Sequence, residues 1–213
     1  MKRLLLLSAL FLVTLSAIFY FSQKQKAPSG KPSPAVTAAT NPAPPYFQQL
    51  QKKASAGRQY ARQNGLSTEL AFLLDMRLPS GRNRFFVYDF IQDTISAVAL
   101  VSHGSCNTAF QPEPVFSNEP GGGCSSLGRY KIGKAYMGSF GKAYKLHGLD
   151  SSNSNAYQRY VVLHGYSAVP EKETEPFPIV NSLGCPMVTY AFLNKLSALI
   201  ETQEKPVMLW IYQ

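Results

Sequence analysis

Two residues carry side chains suited to nucleophilic acyl transfer. They are Cys185, in Asn181-Ser182-Leu183-Gly184-Cys185-Pro186, and His164, which ends Tyr160-Val161-Val162-Leu163-His164. A thiolate is a strong nucleophile and a neighbouring imidazolium stabilises it, so Cys plus His is a sufficient pair. Gly184 lets a substrate carbonyl approach the backbone, and the amides of Gly184 and Cys185 are candidate oxyanion donors. On residue type alone the bland reading competes: a free cysteine is often buried and inert, and a lone histidine at a strand end is often a satisfied polar residue.

The cysteine count bears on this choice. Cys106, Cys124 and Cys185 are an odd number, so at least one thiol is unpaired within a monomer. Cys106 and Cys124 flank one Pro- and Gly-rich loop, Asn107 to Gly123, and form the candidate disulfide. A structural zinc site is the alternative use, with His103-x-x-Cys106 joined by Cys124, His164 or Cys185, although no second close-spaced ligand pair supports it. No cofactor motif is present, since Gly121-Gly122-Gly123 lacks the Lys-Ser/Thr of a phosphate cradle.

The elements that must position these residues read as a mainly β domain with a few helices. Stretches rich in β-branched and aromatic residues run Leu70–Met76, Arg84–Phe90, Ala97–His103, Leu127–Ile132, Tyr144–Leu146, Tyr160–His164 and Pro206–Tyr212. Turn signals such as Pro79-Ser80-Gly81 and Gly138-Ser139 separate them. Residues 46–66 read as an amphipathic lead-in helix ending at Asn64-Gly65. A second helix follows Cys185, with Thr189 as N-cap and Tyr190, Leu193, Leu196 and Ile200 on one face.

Ahead of the domain, Met1-Lys2-Arg3 precedes an apolar or small-residue run from Leu4 to Phe21. These eighteen residues would span roughly 27 Å as a helix, near the thickness of a bilayer core. Residues 1–22 are therefore a signal anchor or a cleaved signal peptide. Residues 23–45, with six prolines and no aromatic side chain, form a spacer. The net charge of +9 is front-loaded: five of the 21 Lys and Arg and none of the 12 acids fall in residues 1–31, leaving +4 for the rest. Scattered basic residues do not make a nucleic-acid surface. The charge supports at most a weak attraction to an anionic wall or membrane surface.

Four pieces of sequence, in order, resemble one family. Val101-Ser102-His103-Gly104, Ser126-Leu127-Gly128-Arg129-Tyr130-Lys131-Ile132-Gly133, Arg159 to Gly165, and Ser182 to Pro186 look like the YkuD-type L,D-transpeptidase catalytic domain, in its divergent murein branch. The resemblance implies an L,D-transpeptidase-like sandwich or barrel-like sheet over residues 67–213 in an exported, monomeric cell-envelope enzyme without a cofactor. It implies peptidoglycan stem peptides as partners, with Cys185 as nucleophile, His164 as base and acid, and Ser182 orienting the turn or substrate. Tyr130 and Ser126 would border the groove. The acyl group would pass to an amine, making a cross-link, or to water, making an L,D-carboxypeptidase; a catalytically inactive wall-binding module is the remaining reading. Leu183 and Met187 depart from the commoner members, which carry His and a polar Arg or Asn there. His103 is the candidate substitute donor or, equally, a structural residue bonding the 106–123 loop. Arg159 is either a clamp for a stem carboxylate or, by preference, half of a surface ion pair. His147 reads as structural, and Asn153 and Asn155 as turn-builders.

Overall fold

A computed structural model describes residues 45–213. The leader and nearly all of the proline-rich spacer lie outside the described residues. The elements are α1 (Pro45–Gln63), β1 (Leu70–Asp75), β2 (Phe85–Asp89), β3 (Thr94–Ala99), β4 (Gly128–Gly138), β5 (Gly141–Gly148), a short 3-10 turn (Ser151–Asn153), β6 (Val162–Gly165), β7 (Met187–Val188), α2 (Tyr190–Glu201) and β8 (Met208–Tyr212). The strands form one eight-stranded mixed sheet in the order β3-β2-β1-β8-β4-β5-β6-β7, parallel at β1–β8 and β6–β7 and otherwise antiparallel.

The apolar run Leu70–Leu74 explains the centre of this sheet. Every residue of β1 is buried, as a strand covered on both faces requires. Period-two alternation sends Phe72 and Leu74 to one core with Phe85, Val87, Leu209 and Ile211, where Leu193 and Leu196 of α2 join them. Ala71 and Leu73 face the other way, onto Leu50, Ala54 and Ala61 of α1. Thr189 caps α2 by accepting a hydrogen bond from the Phe192 amide at 3.1 Å. On the α1 side, the Arg129 guanidinium lies over the Tyr60 ring at 3.8 Å and is paired with Asp150.

Several boundaries differ from the sequence reading: the strand expected over Leu127–Ile132 continues to Gly138, and that expected over Tyr144–Leu146 spans Gly141–Gly148. The strand expected over Ala97–His103 lies at Thr94–Ala99, an edge strand with alternating exposure. Leu100 to His103 are buried but leave the sheet to run beside the Cys185 segment. The strand expected from Tyr160 starts only at Val162, because Tyr160 adopts a φ of +56° after the turn closed by its amide on the Tyr157 carbonyl. β7 was not anticipated; two residues carry no readable period. No helix among the described residues is long and apolar enough to cross a membrane.

Candidate active site

His164 and Cys185 come together at the β6–β7 edge of the sheet. Parallel pairing sets His164 opposite Met187, so the chain two residues before Met187 brings Cys185 level with the start of β6. The Val162 amide points at the Cys185 Sγ at 3.4 Å, and the Tyr160 carbonyl accepts from the thiol at 3.8 Å. His164 Nδ1 lies 3.0 Å from the Gly165 carbonyl. A carbonyl can only accept, so Nδ1 carries the proton and Nε2 is the basic nitrogen. Phe140, at the tip of the β4–β5 hairpin, stacks on the imidazole with centroids 4.7 Å apart and planes 25° apart.

The turn that presents Cys185 is fixed from several sides. Ser182 Oγ accepts from the Gly184 amide at 3.0 Å, and Gly184 takes a φ of +111°. Ser125 Oγ donates to the Gly184 carbonyl at 3.1 Å and accepts from the Gly104 amide at 3.0 Å. Ser102 Oγ accepts from the Met187 amide at 3.0 Å. The backbones of His103 and Ser105 bracket Ser182, each bond being 2.8 Å. This use of the chain explains why Leu100–His103, though buried, is not a sheet strand.

Both partners open onto a cleft of about 490 Å³. Its walls are Ser105, Thr108, Ala109 and Phe110 on one side, Phe140 and Tyr166 on another, and Val180 to Leu183 with Met187 around Cys185. No charged side chain among the described residues lines it. Burial pushes the His164 imidazole below its ordinary value, partly offset by the Gly165 carbonyl. Burial pushes the Cys185 thiol up, partly offset by the Val162 amide and the charge of Arg159. Both shifts favour a neutral resting pair, thiol and imidazole, over the thiolate expected from residue types.

The other expected residues fall in varied places. Ser182 lines the cleft, but its hydroxyl is engaged by Gly184. That bond also occupies the Gly184 amide, so of the two expected oxyanion donors only the Cys185 amide is without an intramolecular partner among the described residues. Tyr130 does not border the groove: it is fully buried in the core, its hydroxyl donating to the Ser126 carbonyl at 2.7 Å. Ser126 is buried too and donates to the Ser117 carbonyl at 2.8 Å.

Arg159 forms neither the expected ion pair nor a cleft contact. Its guanidinium donates to the Ser117 carbonyl at 2.9 Å, to Ser126 Oγ and to the Cys124 carbonyl. His103 takes the structural alternative. It is fully buried, its Nδ1 accepting from Arg84 at 2.8 Å and its Nε2 bonding the Gln111 carbonyl at 2.9 Å within the loop. Burial and the Arg84 charge lower it to about 4. Cys106 and Cys124 are joined in a disulfide, which leaves Cys185 as the free thiol and removes two sulfurs from the zinc alternative. His147 stacks on Tyr157 at 4.8 Å. Asn153 is a buried turn-builder, donating to the Arg129 carbonyl at 2.8 Å.

Several site residues escaped the sequence reading. Asn181 exchanges hydrogen bonds with the Gln111 backbone at 2.7 and 2.9 Å, fastening the loop to the nucleophile turn. Its position beside Ser182 was the only available signal. Phe140, Ser102 and Ser125 reach the site through tertiary contacts that no local pattern encodes.

Comparisons with known proteins give a family and a distant fold likeness. A family model described as the L,D-transpeptidase catalytic domain matches residues 45–212. No curated protein matches. Among solved structures, an L,D-transpeptidase from Xylanimonas cellulosilytica is 13% identical with a TM-score of 0.39, over 72% of this chain and 68% of that one. The helical cell shape determining protein Pgp2 from Campylobacter jejuni is 13% identical with a TM-score of 0.43, over 68% and 47%. An Ldtfm-avibactam carbamoyl enzyme is 10% identical with a TM-score of 0.42, over 68% and 49%. The match thus spans about half the length of the latter two proteins. With the family's catalytic domain matched across nearly every described residue, this chain belongs to the L,D-transpeptidase catalytic domain family.

Proposed function

We propose that the domain performs cysteine acyl transfer on peptidoglycan stem peptides, with Cys185 as nucleophile and His164 as the proton carrier. The observation that carries this reading is the shared cleft: a free thiol and an imidazole whose Nδ1 is tied to the Gly165 carbonyl open onto one cavity. Such a tie fixes the tautomer and ring orientation, as a carboxylate does elsewhere.

The reaction starts from the neutral pair. Nε2 of His164 takes the thiol proton as Sγ attacks the carbonyl carbon of the amide between the L-centre of a diamino acid and a terminal D-alanine. The carbonyl oxygen becomes an oxyanion, for which the unpaired Cys185 amide is the available donor. Collapse breaks the C–N bond, and His164 returns the proton to the departing D-alanine amine, leaving a thioester on Cys185. An amine of a second stem, losing its proton to Nε2, then displaces the sulfur and forms the cross-link. Water in place of that amine yields the free acid. A cleft walled by Ser, Thr, Asn and apolar side chains suits a peptide backbone held by hydrogen bonds and van der Waals contact. This chemistry places the domain's work at the cell envelope.

The test is D-alanine release and cross-link formation from purified tetrapeptide stems by the wild type, Cys185→Ala and His164→Ala. Both variants lose turnover while the far-ultraviolet circular dichroism is kept. Wild-type turnover in either variant refutes the mechanism. Intact-protein mass spectrometry with a carbapenem supplies the direct readout, an adduct that Cys185→Ala does not form.

A further inference from the structure

Behind the nucleophile turn lies a cation that no carboxylate among the described residues pairs with. Arg159 is partly buried, and none of the ion pairs among the described residues includes it. Its guanidinium is held instead by the Ser117 and Cys124 carbonyls and the Ser126 hydroxyl. It is also close to the reacting residue: a methyl group built on Gly184 would sit 2.6 Å from the Cys124 oxygen that Arg159 binds and 3.4 Å from Arg159 Nη2 itself. The residues that follow Arg159 surround the sulfur, through the Tyr160 carbonyl and the Val162 amide.

We propose that Arg159 is a positioning residue that acts as a fixed positive charge behind Cys185, holding the Gly184–Cys185 turn and stabilising the negative charge that develops on the sulfur during attack. This inference rests on the acyl-transfer reading for its purpose, but not for its test. Charge appears on Sγ as the thiol proton leaves, in a cleft whose lining at rest holds no charged side chain among the described residues. Among the described residues, the titratable groups on that lining are His164, Tyr166 and Cys185. A guanidinium stays protonated throughout the working range and interacts across a partly desolvated wall more strongly than it would in water. Its donors being spent on protein oxygens, Arg159 does not serve as the clamp for a substrate carboxylate.

The experiment is alkylation of the full chain by iodoacetamide as a function of pH, followed by intact mass. With the Cys106–Cys124 disulfide in place, Cys185 is the free thiol, and alkylation reports its anion whether or not the chain is an active transpeptidase. Arg159→Met and Arg159→Gln slow alkylation about fivefold or more at a pH below the thiol's titration and move the profile to higher pH. Arg159→Lys, which keeps the charge, stays within about twofold of the wild type. On stem peptides the loss in Arg159→Met falls on kcat with KM preserved. An unchanged alkylation profile in folded Arg159→Met or Arg159→Gln overturns the proposal, as does a loss confined to KM. Should both neutral variants fail to fold, Arg159→Lys decides: a wild-type profile supports the fixed charge, and an upward-displaced profile overturns it.

Discussion

Gly184→Ala tests the geometry of the nucleophile turn most directly. At a φ of +111° the residue lies where side chains are strained, which costs about 1–3 kcal/mol. The added methyl also meets the Cys124 carbonyl oxygen at 2.6 Å. That oxygen is backbone and is gripped by Arg159, so it cannot swing aside; overpacking of this kind costs about 1–3 kcal/mol more. The combined loss of about 2–6 kcal/mol lowers Tm by roughly 4–24 °C for a domain of this size. Because relief must come from the turn that carries Cys185, a shift of about 1 Å reduces D-alanine release about 100-fold. Gly121→Ala is the control, with a φ of +75° and nothing within 4 Å of the added methyl, so it bears the conformational cost without the clash. Thermal denaturation and stem-peptide turnover are measured on both variants. If Gly184→Ala melts within about 2 °C of Gly121→Ala and turns over within about threefold of the wild type, the close approach of Cys124 does not constrain the turn.

Other consequences follow from the same contacts. With His164 lowered and Cys185 raised by burial, the resting pair is neutral at pH 7; the acid limb of kcat/KM lies below the ordinary imidazole range and its alkaline limb above the ordinary thiol range, and thiolate ultraviolet absorbance at pH 7 would contradict this. Opening the Cys106–Cys124 disulfide, whose partners are 18 residues apart, removes about 3 kcal/mol of stability and loosens the wall bearing Thr108 and Phe110, so mild reductant lowers both Tm and turnover while Cys185 remains intact by mass. His103 titrates near 4 when folded against about 6.5 when unfolded, so the unfolded chain binds the extra proton between these values: its contribution is fully present above about pH 6.5 and falls by about 3 kcal/mol as pH drops toward 4. His164 adds a loss of the same sign, and a His103→Asn variant flattens the slope of Tm against pH without abolishing it.

What could be read in the sequence divides along the range of the interactions involved. The apolar run of β1, the stripe and Thr cap of α2, and the Gly-Cys-Pro turn are local patterns, and each appears in the structure near its expected place. The β-type composition of Ala97–His103 misled because backbone can be satisfied outside a sheet, here by Ser182 and Met187. Tyr130 shows the same limit from the other side, since its strand was located while the face it presents was not. Arg159 could be placed on the chain next to the His164 strand, but its three acceptors lie 33 to 42 residues away, and nothing in composition announces them.

The seat of α1 has a mechanical consequence. The helix is fastened to the middle of the sheet, through Leu50 and Ala54 against β1 and β8, Lys53 at 4.5 Å from the Trp210 and Tyr212 rings, and Tyr60 beneath Arg129. Between β8 and β6 stand β4 and β5, so at the usual strand spacing the catalytic edge is about 14 Å from this anchorage. A pull on the N-terminal end of α1 is therefore borne by shear across β1 and β8, in which every residue but Trp210 is buried. The load does not reach the two-residue strand beside Cys185, and the cleft keeps its shape while the domain is held by its leading helix.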